Sequence, residues 1–160
     1  MRRHPRTRSG AIDRRALIRY AGCVAVMTAF LHVAGCGSEH PGMVEVTGVL
    51  TVDGGPPPTS GEIYFNGTES YGGFPLRPGT GFYDETGHYT IKTHTLGDGL
   101  YPGKYVVSVH CYKQPPNMEG KPVESYIAAK WNSGVASGLS LEVPVGSDPL
   151  NFPIDVTTSE

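Results

Sequence analysis

From Val44 to Val156, apolar side chains recur at every second position in one short segment after another. A period of two is what a strand with one buried face requires, and a helix, with its period of 3.6, does not produce it. Val44, Val46, Leu50 and Val52 share one side of the first segment, with Glu45, Thr47 and Thr51 opposite. Ile63 and Phe65 then alternate with Glu62, Tyr64 and Asn66. Phe82 opens a short segment, and Tyr89 and Ile91 follow against His88, Thr90 and Lys92. Tyr105, Val107, Val109 and Cys111 line the next face, Leu139, Leu141, Val143 and Val145 another, and Leu150, Phe152, Ile154 and Val156 the last. Seven strands are predicted.

The connections agree with strands. From Cys36 onward, 19 glycines and 13 prolines fall in 125 residues, which leaves no room for long helices. Asp84-Glu85-Thr86-Gly87 is predicted to be a four-residue hairpin turn whose glycine takes a positive φ. Tyr101-Pro102-Gly103-Lys104 places proline and glycine where a type II turn wants them. Pro144 and Pro153 suit sheet edges, where no ladder donor is needed. Two antiparallel sheets packed face to face, an all-β sandwich, is the architecture this pattern predicts. Two stretches break the rhythm: a loop over Gly67–Gly79, and a long connection over Lys113–Gly138. Within the second, Val123, Ile127 and Trp131 recur at i, i+4 and i+8, predicting a short helix over Val123–Trp131.

The first 35 residues follow different rules. They carry seven arginines against the single Asp13, whereas residues 36–160 carry six Lys/Arg against fourteen Asp/Glu. An arginine-rich start, then the mostly apolar run Ala21–Ala34, too short for the roughly 20 residues a membrane span needs, is the pattern of an export signal. Asp13-Arg14-Arg15-Ala16-Leu17-Ile18-Arg19 resembles a twin-arginine signal, with the general export route as the alternative. Val33-Ala34-Gly35-Cys36 resembles the bacterial lipobox, in which the cysteine thiolate accepts a diacylglyceryl group and becomes the mature N-terminus. The expected organisation is therefore a cleaved signal at 1–35, a tether at 36–43 and one domain at 44–160. The expected membrane partner is lipid, reached through acylated Cys36, and two or three acyl chains anchor a protein durably. Gly37 follows the cysteine where an aspartate would imply inner-membrane retention, so the outer membrane or cell surface is the expected address. Gly37–Met43, fully extended, spans only about 23 Å, so the domain is expected to ride close to the bilayer.

Several segments within the domain are similar, in order and spacing, to carboxypeptidase-regulatory-like, transthyretin-like domains. Gly48-Val49-Leu50-Thr51-Val52-Asp53-Gly54-Gly55-Pro56 resembles their opening strand and turn, and Gly61-Glu62-Ile63-Tyr64-Phe65 their second strand. Asp84-Glu85-Thr86-Gly87-His88-Tyr89 resembles their hairpin, and Pro102-Gly103-Lys104-Tyr105 the start of their Pro-Gly-x-Tyr strand. Gly55 departs from the pattern, where a longer or basic residue is usual. The resemblance implies a prealbumin-like sandwich of seven or eight strands in a small lipoprotein, without assigned catalysis.

Little in the sequence points to chemistry. Once the signal is removed, Cys36 and Cys111 are the remaining cysteines; with Cys36 lipidated no internal disulfide forms, and Cys111 falls on an apolar face as a small buried hydrophobe. His88 and His110 face outward in this register and are weak candidates for a shared metal site; no ligand spacing supports them, and no cofactor is expected. The transthyretin-related hydrolases resemble this fold but end in Tyr-Arg-Gly-Ser, where this chain ends in Thr157-Thr158-Ser159-Glu160. An acidic domain does not suit nucleic acid. The expected function is a non-catalytic structural or binding role in the cell envelope. Its candidate contacts to a glycan or protein are Tyr71, Phe74, Tyr126 and Trp131, aromatics of the two long connections.

Overall fold

The computed structural model describes residues 40–159. The expected signal at 1–35, the lipidation site Cys36 and the first part of the tether lie outside the described residues. The described chain is all-β. Its strands are β1 (Val46–Val52), β2 (Gly61–Ser70), β3 (Gly79–Tyr83), β4 (His88–Lys92), β5 (Gly103–His110), β6 (Tyr112–Gln114), β7 (Glu124–Ser125), β8 (Ser140–Val143), β9 (Leu150–Asn151) and β10 (Ile154–Val156). The main sheet runs β10-β1-β4-β3-β2-β5-β8, with β9 also on β1; β6 and β7 pair separately.

The alternation of the sequence becomes the alternation of burial. Along β1, every second residue from Val46 to Val52 is buried. Ile63, Phe65, Ile91, Val107, Val109 and Val143 are wholly sequestered, and they join Leu50, Tyr83, Tyr105, Ile154 and Val156 in one cluster. Strands from both ends of the sheet feed that single cluster, so the sheet curls over its own inner face. Each such aliphatic or aromatic side chain contributes roughly 1.5–3 kcal/mol on burial.

The pairing differs from the all-antiparallel expectation. β9 and β10 return parallel to β1, Val46 facing Leu150 and Val52 facing Val156 in one unbroken register. They are a single line interrupted at Phe152-Pro153, where proline has no N–H for the ladder. Periodicity carries no strand direction, so a parallel return looks the same in sequence as an antiparallel one. Pro144 and Pro153 do fall where expected, just past β8 and before β10, the two ends of the main path.

Local expectations divide in the same way. Asp84–Gly87 forms its turn, with Gly87 at φ 84° and the Gly87 amide donating to the Asp84 carbonyl at 2.9 Å. Asp53 and Gly54 both have positive φ, at 51° and 75°, and the Val52 and Gly55 backbones bond reciprocally across them. This is the primed two-residue turn that Asp-Gly favours. Tyr101–Lys104 is not the expected type II turn: Gly103 has no positive φ and is already the first residue of β5. What it supplies is room, because a Cβ there would stand 2.3 Å from the Glu69 carbonyl oxygen of the neighbouring strand. The expected helix over Val123–Trp131 does not form. β7 and a single 3-10 turn at Ala129–Asn132 occupy that stretch, and Val123 is exposed while Ile127 is buried. Its amides bond outward, Tyr126 to the Cys111 carbonyl and Ala128 to the Thr157 carbonyl, so the i, i+4, i+8 spacing is coincidental. Phe82 points outward and Tyr83 inward, and Val145 lies exposed beyond the end of β8.

Strand directions give the body two ends. At the near end the chain enters, with Val44 bridged to Leu100, and the loops 71–78, 93–102 and 144–149 turn there. At the far end lie the turns 53–60 and 84–87 and the start of the long connection after β5.

Candidate functional site

The outer face of the β2–β5 pair carries a cluster of functional side chains. Outward residues Glu62 and Tyr64 of β2 stand opposite His110 and Ser108 of β5, within the ~5 Å reach of directly facing cross-strand neighbours. Just beyond β5, β6 brings Tyr112 alongside His110, and Pro115 and Pro116 form a rim. The result is a cleft of about 550 Å³ lined by Glu62, Tyr64, Asn66, Ser108, His110, Tyr112 and the two prolines. Ser108 is buried at its floor.

The polar groups are linked in two short pairs. The Tyr64 hydroxyl donates to the Glu62 carboxylate, and that bond pushes the phenol up to about 12. His110 Nδ1 and the Tyr112 hydroxyl share a second hydrogen bond. Burial holds the imidazole below its usual pKa, against the opposing pull of Glu62, and so favours the neutral ring. Burial and the Glu62 charge also raise the Tyr112 phenol. The Tyr64 ring stands edge-on to His110, 5.1 Å between centroids at 84°, and the Tyr112 ring is tilted against it at 5.4 Å.

This arrangement can donate and accept hydrogen bonds and offer ring surface. Among the described residues no lysine or arginine lines the cleft, so its chemistry does not favour an anion. The imidazole bonds to the Tyr112 phenol rather than to Ser108.

A larger groove of about 840 Å³ crosses the outer face of β1, β4 and β3, past Thr47, Phe82, His88, Thr90, Leu96 and Asn151. Of its polar groups, Asp84 is committed to its own turn. Asp84 is bonded by the Thr86 hydroxyl and by the Thr86 and His88 amides, which hold its carboxyl below the ordinary range. Lys92 lies over the Phe82 ring at 5.6 Å. The smaller cleft, where two hydrogen-bonded pairs and a buried serine converge, is the better candidate.

No family model, curated protein or solved structure matches this chain.

The four candidate aromatics do not make one surface. The Tyr71 amide donates to the Pro102 carbonyl and the Tyr126 amide to the Cys111 carbonyl, at opposite ends of β5; the nine residue steps from one carbonyl to the other span about 30 Å of strand. At the near end, Tyr71 donates to Glu142 at 2.8 Å, and Phe74 stacks on Tyr101 at 6.1 Å. At the other, Tyr126 and Trp131 pack against the core, with Lys113 over the first ring and Trp131 Nε1 donating to the Thr157 carbonyl at 3.1 Å. Trp131 holds the long connection to the C-terminal segment. His88 and His110 lie on β4 and β5, with β3 and β2 between them, three strand spacings or about 14 Å. They are not brought together. Cys111 is wholly buried, as its apolar face implied.

Glu62, Tyr64, Ser108 and Tyr112 were not singled out by sequence. The signal was present, since Glu62-x-Tyr64-x-Asn66 and Ser108-x-His110-x-Tyr112 place functional groups on outward positions. What was lacking was the register that sets one triplet against the other.

Proposed function

We propose that this chain is an exported, lipid-anchored and non-catalytic protein of the cell envelope, built on a transthyretin-like β-sandwich and acting by binding. One observation carries the reading: the lipobox-like Val33-Ala34-Gly35-Cys36 stands just ahead of a body whose buried core begins at Val44. The spacing suits a lipid tether leading directly into a folded domain. The curl of the main sheet over one core supports the sandwich. The dispersal of Arg77, His88 and His110 over different parts of the body supports a non-catalytic role. Mass spectrometry of the mature N-terminus tests the anchor: cleavage before Cys36 with an added diacylglyceryl mass is expected, and an unmodified Cys36 or an intact leader overturns it.

The β2–β5 cleft favours a neutral, hydroxyl-rich ligand such as an envelope glycan. Glu62, Asn66 and Ser108 provide hydrogen-bonding groups, and Tyr64 and Tyr112 provide rings. On titration with envelope polysaccharide fragments, the His110 ring proton signals are expected to move while those of His88 stay in place. Unchanged His110 signals across such a series would remove the glycan reading.

A further inference from the structure

The near end carries features that the binding cleft does not use. Three separate loops each leave an aliphatic side chain in water there: Leu76 is 46 % exposed, Leu96 79 % and Val145 57 %. They come from 71–78, 93–102 and 144–149, and these loops touch one another and the entering chain. Gly42 lies against the Phe74 ring, Gly72 against Val145, and the His40 ring 4.1 Å from that of His94. Beside Leu76 stands Arg77, exposed and without an ion-pair partner among the described residues, whereas nearby Lys104 is held by Glu69 at 2.8 Å.

Aliphatic tips with an uncommitted arginine suit the boundary between headgroups and acyl chains, where the guanidinium meets phosphate and the leucines meet hydrocarbon. We propose that this end is a membrane-apposed face that seats on the bilayer holding the anchor, so that the β2–β5 cleft opens away from it. The proposal rests on the lipid-anchor reading. A tether of seven residues reaches at most about 23 Å, and the chain leaves the body at this end, so these loops are the part of the domain delivered to the bilayer. A tether of that length also makes seating intramolecular, so a contact too weak to recruit a free domain still orients an anchored one. Because the domain is acidic overall, the seating is apolar in origin and needs no anionic lipid.

The test uses the full lipidated protein in phosphatidylcholine vesicles, spin-labelled at single introduced cysteines. L96C and V145C probe the near end and M118C the far end, and buried Cys111 does not compete for label. Power saturation compares access of lipid-soluble oxygen with that of a water-soluble nickel chelate. Labels at 96 and 145 are expected to shift toward oxygen, while the label at 118 stays nickel-accessible. Flotation with the vesicles reports the anchor by itself. A floating protein whose labels at 96 and 145 are as nickel-accessible as that at 118 overturns the seated face and leaves the anchor standing. A protein that does not float overturns both.

Discussion

Asp98 gathers the start of the 93–99 loop around its side chain. Its carboxylate accepts the Thr93, His94 and Thr95 amides, each at 2.8 Å, and so satisfies three successive backbone donors that have no strand partner. Burial alone would raise this carboxyl, but the three amides together hold it below the ordinary range. Folding therefore favours the ionised form, and the sign of the pH dependence follows. The stabilisation is complete above the unfolded value of about 3.9 and is lost as pH falls through the lower folded value. Asp98→Ala is expected to destabilise the domain by about 1 kcal/mol, by analogy with loss of a helix N-cap. Thermal melts check this: the gap between wild type and variant should hold from pH 8 to pH 5 and close in stronger acid. A gap that persists unchanged in acid would show that the carboxylate is not the stabilising group.

At the scale of elements, the β2–β5 pair matters most, because it carries the cleft on its outer face and Phe65, Val107 and Val109 on its inner one. Its near end depends on Gly103. A methyl there meets the Glu69 carbonyl oxygen at 2.3 Å, a backbone atom that cannot step aside without parting the strands. Gly103→Ala is expected to cost roughly 1–3 kcal/mol, the range for forced overpacking. Gly55→Ala is the control, since its added Cβ meets nothing nearer than the Val52 carbonyl oxygen at 3.6 Å and its φ is ordinary; it should change stability little. Denaturant unfolding of the two variants decides, and equal midpoints would refute the steric account. The long connection shows the reverse case. Its helical spacing of apolar residues was outweighed by backbone partners at Cys111, just past β5, and in the C-terminal segment, which only the folded chain brings within reach.

For the molecule as a whole, alkaline stability is set by the buried phenols. Tyr83, Tyr89 and Tyr105 lie in the core, and burial raises all three, Tyr105 to about 12. In the unfolded chain each titrates near 10. Above that pH the folded state holds more protons than the unfolded one, so stability is full below pH 10 and falls as pH rises. These three phenols are expected to ionise only as the sheet unfolds. An absorbance titration at the phenolate band should therefore show a late step coincident with loss of β-sheet circular dichroism. Full ionisation of every tyrosine while the sheet signal persists would contradict the packing.

The β class, most strand positions and the Asp84–Gly87 turn were legible in residue order, because period-two burial and turn chemistry act over a few neighbouring residues. The burial of Cys111 was legible for the same reason. The parallel return of β9 and β10, the purpose of Gly103 and the meeting of Glu62 and Tyr64 with His110 and Tyr112 were not. Each depends on which strand lies beside which, and in what direction. Pairing of that kind joins residues as far apart as Thr51 and Asp155, and it is settled by closing one core rather than by any local preference.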